Sequence, residues 1–178
     1  MITTATILSG IAQGLIWAIL TLGVYLTFRI LDIADLTVEG TFPLGAAVTV
    51  VLINTGMSPA LAMLCAVLAG AAAGFVTGFL HTIFQIPAIL SGILTMIALY
   101  SVNIRIMSDK ATVALEQPSI KTWMLSLLPE GTVSNTVSII LGTVFCLLIV
   151  ALLYYFFGTE IGCAVRATGS NQHMARSL

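Results

Sequence analysis

The sequence predicts an all-α, polytopic transmembrane helical bundle of about five spans, and three observations carry that reading. Of its 178 residues, 59% are hydrophobic and 7% are charged, with a mean hydropathy of +1.13, whereas an ordinary soluble domain is about 25% charged. No Asp, Glu, Lys or Arg occurs in 1–28, 40–104 or 131–159, and about 20 mostly apolar residues suffice to cross a bilayer. These runs are apolar all round, the mark of helices that face lipid or one another, where a soluble helix would carry a charged outer face.

The first span, about 7–28, ends at Arg29. No basic segment precedes it and no small-residue cleavage site closes it, so it reads as a retained span and not a removed signal peptide. The second, about 36–54, is awkward. Its uncharged core from Phe42 to Ile53 is short unless Leu36–Gly40 is included, which predicts a broken or tilted helix. Ser58-Pro59 opens the third span, about 58–81, because serine suits a cap and proline the first helical turn. Ile86-Pro87 restarts the chain into the fourth, about 87–106.

The stretch 107–135 carries Asp109, Lys110, Glu116, Lys121 and Glu130 together with Pro118 and Pro129, and it reads as an extramembrane loop. Within it Ile120, Trp123, Met124 and Leu127 recur at helical spacing, which predicts a short interfacial helix with its tryptophan at headgroup level. The fifth span is about 136–157. Residues 1–158 thus form the membrane domain and 159–178 a polar tail. The tail reads as a short helix, a stop at Gly169 and a second helix capped by Ser170 or Asn171. Arg29, Arg166 and Arg176 fall on one side and Arg105, Lys110 and Lys121 on the other, an even split that leaves the positive-inside rule undecided.

Several function classes drop out. A net charge of −1 and a pI near 6.0 leave no basic patch for nucleic acid. Cys65, Cys146 and Cys163 are too scattered for a disulfide framework or a metal site. There is no phosphate-cradling G-x-x-x-x-G-K-[ST] segment, and His81 and His173 lack metal-ligand spacing. Ser91 with His81 as its base is only a coincidence of polar residues. The expectation is a non-enzyme with no cofactor and no metal.

Two features remain. Gly70, Gly74 and Gly78 follow Ala66 at four-residue spacing, predicting a strip where a neighbouring helix backbone approaches closely. Asp32, Asp35 and Glu39 form one acidic stripe if 30–40 is helical. Acids at a membrane boundary mark either a discontinuous segment beside a solute route or a solvated loop. The candidate residues for a path or gate are Asp35, Thr37, Glu39 and Thr41. Isolated polar residues such as Thr37, Thr41, Ser91, Thr95 and Asn103 either line a path or bond to backbone carbonyls.

The tail, through Glu160, Ile161, Gly162, Ala164, Arg166, Ala167, Gly169, Asn171, Met174, Ala175, Arg176 and Leu178, resembles the cytoplasmic coupling loop of bacterial ABC importer permeases of the branched-chain amino acid and ribose type. The segment from Ile33 to Ala46 resembles the start of the second span in those permeases. Its Asp-Leu-Thr-Val-Glu-Gly form, residues 35–40, is similar to the subgroup for tryptophan, tyrosine and related amino acids. The resemblance implies a permease subunit in the plasma (inner) membrane of a bacterium, working with a cytoplasmic ATP-binding subunit, a second permease chain and an external solute-binding protein. It implies that Glu160, Gly162, Arg166, Ala167, Gly169, Asn171 and Ala175 belong to the ATPase-coupling elbow. Such permeases continue beyond the position of Leu178, so the sequence reads as a partial chain. A sugar or nucleoside importer of the same architecture, or a membrane scaffold without a path, are the alternatives.

Overall fold

The computed structural model describes residues 4–115, 122 and 134–170, and all regular structure among them is helical. Helix α1 (Thr4–Tyr25) runs into a π-turn (Leu26–Ile30), followed by α2 (Thr37–Asn54), α3 (Pro59–Thr82), α4 (Ala88–Ile106), α5 (Ser134–Gly158) and α6 (Glu160–Ser170). Five of these helices are long and apolar enough to cross a membrane, α1 together with its π-turn, and α2 to α5. Their outer faces carry large apolar side chains such as Phe75, Leu68 and Val67, each about 70% exposed. In water such a surface would be untenable, and in lipid it is ordinary. The chain divides into two compact units, one built from α2, α3 and α4, the other from α1, its π-turn, α5 and α6.

In the first unit α2 buries Thr37, Gly40, Leu44, Ala47 and Ile53, a helically spaced face. Leu44, Ala73 and Leu99 form the core, with Val48, Ala69 and Ile106 packed against it. Helices α2 and α4 run parallel. A Cβ on Gly92 would lie 2.9 Å from the Leu36 nitrogen, and one on Gly40 would lie 3.0 Å from Leu99 Cδ1 and 3.1 Å from Met96 Cα. These are the close backbone approaches of the unit. The expected seam along Gly70, Gly74 and Gly78 is not among them, since a Cβ on any of the three meets nothing within 4 Å. Helix α3 buries Ala62, Ala73 and Thr77 instead, and at about 100° per residue the glycine strip lies on the flank of that face.

In the second unit α1 and α5 also run parallel. Gly142 lies under Leu15, whose Cβ would be 3.1 Å from a Cβ on the glycine. The π-turn is closed by Leu31 N–H donating to the Leu26 carbonyl at 3.2 Å, and Ile33 N–H reaches the Thr27 carbonyl at 3.0 Å. Asp32 then takes a left-handed φ of 54°, a conformation a short polar side chain tolerates, and residues 31–36 are not helical. The acidic stripe of Asp32, Asp35 and Glu39 is therefore not formed, because it required one continuous helix.

The tail differs from its expected shape in one respect. Gly169 does not stop a helix; α6 continues through it to Ser170. The glycine instead faces the Ile30 carbonyl oxygen, and Gly162 faces the Phe156 carbonyl oxygen, both too close for a Cβ. Absence of a side chain serves close packing there, not a chain reversal. Asn171, Ala175 and the expected second helix lie outside the described residues, as does the interfacial helix around Trp123. Ser91 and His81 are not paired. The serine donates to the Ala88 carbonyl at 2.9 Å, and His81 Nδ1 sits 2.8 Å from the Ile86 carbonyl.

Candidate functional site: a cavity between α2 and α4

The segment before α2 is built to start a helix without an ordinary loop. Asp35 Oδ1 accepts the Thr37 N–H at 2.8 Å, satisfying one of the donors that a helix start leaves free. The Gly92 position, where a Cβ would touch both Leu36 N and Asp35 Oδ1, lets α4 press against this cap. Gly92 lies four residues into α4, and Met96, beside Gly40, lies eight residues in. At 1.5 Å per residue, Glu39 and Gly40 stand about 12 Å along a helix about 28 Å long. Helix α2 thus begins well inside the span of its neighbour, and its first-turn carboxylate is carried to that depth.

Beside it is a cavity of about 320 Å³, lined by Glu39, Gly40, Pro43, Met96, Ile97, Tyr100 and Asn103. Its polar groups are mostly acceptors. Pro43, inside α2, has no N–H to give the Glu39 carbonyl one turn earlier. Asn103 is 7% exposed. Its Nδ2 donates to the Gly40 carbonyl at 3.3 Å, and its buried Oδ1 has no hydrogen-bond partner among the described residues. The amide orientation follows from the network, because the Gly40 carbonyl oxygen only accepts and so must face the NH₂ side of Asn103. An unsatisfied buried acceptor costs about 1–3 kcal/mol, so this oxygen is a standing demand for a donor. Glu39 and Tyr100, both exposed, line the same space. The Glu39 carboxylate is its charged group, and it accepts hydrogen bonds from a cationic, multi-donor group such as a primary ammonium.

The other candidates from the sequence are placed differently. Asp35 caps α2. Thr37 is 2% exposed, and its Oγ1 lies 2.8 Å from Thr77 Oγ1, itself bonded to the Ala73 carbonyl at 3.3 Å. That pair ties α2 to α3. Thr41 donates back to the Val38 carbonyl at 3.2 Å and Thr95 to the Ser91 carbonyl at 3.0 Å. Of Asp35, Thr37, Glu39 and Thr41, only Glu39 lines the cavity. Tyr100 carried no signal in the sequence beyond being an aromatic residue near a span end.

In the elbow, Glu160, Arg166 and Ala167 are exposed and Gly162 is buried. The Arg166 guanidinium donates to the Phe157 carbonyl and lies 5.4 Å from the centre of the Phe157 ring.

Comparison with known proteins now bears on this geometry. Residues 6–178 match the family described as the permease component of the branched-chain amino acid transport system. The chain is 38% identical over 172 residues to a tyrosine transport system permease protein of Clostridioides difficile (strain R20291), covering 97% of this chain and 55% of that one. It is 36% identical over 172 residues to an uncharacterized protein of Rickettsia prowazekii (strain Madrid E), covering 97% of this chain and 58% of that one. The chain thus spans little more than half the length of these relatives. No solved structure gives a significant match.

Proposed function

Because this chain belongs to the family of branched-chain amino acid transport permeases, a family of transporters and not of enzymes, we propose that it forms part of the path of an ATP-driven amino-acid importer in a bacterial plasma membrane. The observation that carries the reading is the cavity between α2 and α4, which Glu39 and Asn103 both line beside the capped start of α2. Charged residues and helix starts at membrane depth are costly unless they face a cavity or a pathway. The site takes the ammonium end of the amino acid. The name of the Clostridioides difficile relative supports an aromatic side chain for the solute, which the apolar Met96 and Ile97 walls suit.

In this reading a separate cytoplasmic ATPase docks on α6 and the residues that follow it, a second permease chain completes the path, and an external binding protein delivers the solute. The apolar face of the elbow supplies the docking energy, since exposed ion pairs are worth about 0–1 kcal/mol each. The test is uptake of labelled tyrosine by the complete transporter, with permease amounts matched. Hydrogen bonds to charged groups are worth about 1.5–3 kcal/mol, so Glu39→Gln and Asn103→Leu are each expected to cut uptake about tenfold or more. Parental uptake in both variants would overturn the assignment of this cavity.

A further inference from the structure

A second cavity, in the unit of α1, α5 and α6, has different chemistry. It measures about 530 Å³ and is lined by Leu22, Tyr25, Leu26, Ile30, Val150, Leu153, Tyr154, Phe157, Gly158 and Arg166, within the usual range for ligand pockets. From Val150 to Gly158 it follows α5 for about 12 Å, most of the about 15 Å that one leaflet contributes to the hydrocarbon core. Its deep part is aliphatic, from Leu22, Leu26, Val150 and Leu153. The exposed Tyr25 and Tyr154 sit midway along the cavity, and its outer end carries Ile30, Phe157 and one charge, Arg166. No carboxylate pairs with that guanidinium among the described residues, and the Phe157 carbonyl takes one of its five N–H donors.

We propose that this cleft holds one acyl chain of an anionic phospholipid whose phosphate is bound by Arg166. The surfaces match such a lipid: an apolar wall over most of a leaflet's depth where the chain lies, and a cation at the mouth where the phosphate sits. The single positive charge at the mouth sets the preference, because a zwitterionic headgroup would bring a cation of its own to the same place. The proposal uses no part of the cavity beside Glu39, and it shares with the transport reading only α6, on which Arg166 lies.

The experiment measures lipid binding to the 178-residue chain in detergent by native mass spectrometry, with phosphatidylglycerol and phosphatidylcholine of identical acyl chains, and with inorganic phosphate as competitor. Phosphatidylglycerol is expected to bind about fivefold more tightly, the order of effect of one basic residue near an anionic surface. That preference should vanish in Arg166→Gln and survive in Arg166→Lys. Val150→Phe, which fills the deep end and keeps the charge, should weaken both lipids. Equal binding of the two lipids, or a preference that persists in Arg166→Gln, would overturn the proposal. Unchanged affinity in Val150→Phe would reduce the effect to surface attraction and overturn the cleft as its site. Displacement of the lipid by inorganic phosphate would likewise overturn it in favour of a simple anion site.

Discussion

Replacing Gly92 by alanine tests whether the start of α2 is held by α4. The new Cβ would lie 2.9 Å from the Leu36 nitrogen, 3.0 Å from Asp35 Oδ1 and 3.5 Å from the Thr37 nitrogen. The first is closer than packed atoms tolerate and involves backbone, and the second is tight against a carboxylate tip held by its bond to the Thr37 N–H. Either α4 retreats, at an overpacking cost of about 1–3 kcal/mol, or Asp35 swings away and the Thr37 N–H loses its cap, at about 1 kcal/mol. Alanine recovers about 0.5–1 kcal/mol of helix propensity, leaving a net loss of about 1 kcal/mol if α4 retreats. Reversible unfolding in mixed detergent and SDS micelles, followed by far-UV circular dichroism, measures it. Gly74→Ala is the control, since a Cβ there meets nothing within 4 Å, and it should be neutral or slightly stabilising. If the clash acts through the cap, Asp35→Ala should make Gly92→Ala less costly by about 1 kcal/mol. Parental stability in Gly92→Ala, or strict additivity with Asp35→Ala, would refute the reasoning.

Two further predictions follow from contacts inside each unit. Thr37→Val should destabilise the chain by about 1 kcal/mol, because it strips the buried Thr77 hydroxyl of one of its two partners and leaves it only the Ala73 carbonyl. Adding Thr77→Val should restore most of that loss, since removing both polar groups leaves neither unsatisfied; the same unfolding assay checks both. Gly169→Ala should push α6 off the Ile30 carbonyl and raise amide hydrogen exchange across Glu160–Ser170, whereas Gly158→Ala, whose Cβ meets nothing within 4 Å, should leave exchange unchanged.

The membrane fold was legible in the sequence because lipid imposes one rule over long stretches: runs without charge, long enough to cross, become helices. The starts at Pro59 and Ala88 were equally legible, since Ser58 and Pro87 are held extended, with ψ of 140° and 138°, and proline fits only a first turn or a break. The close approaches were not. Spacing identified Gly70, Gly74 and Gly78 because they repeat, yet the glycines that admit a neighbouring backbone in the α2–α4 unit are the isolated Gly40 and Gly92. Periodicity describes one helix, and contact needs two. The site was half legible: Glu39 stood out as a carboxylate beside an apolar run and Asn103 as an amide within one. Their convergence depends on α2 starting late beside α4, which follows from the Asp35 cap and the Gly92 contact, not from any spacing along the chain.

The unpartnered oxygen of Asn103 also has a thermodynamic side. Burying it without a partner among the described residues weighs on the fold by about 1–3 kcal/mol. The same side chain ties α4 to α2 through its Nδ2 bond to the Gly40 carbonyl, a contribution of opposite sign. Asn103→Leu removes both at once, so its effect on stability is the difference between the two and smaller than either alone, whatever it does to uptake.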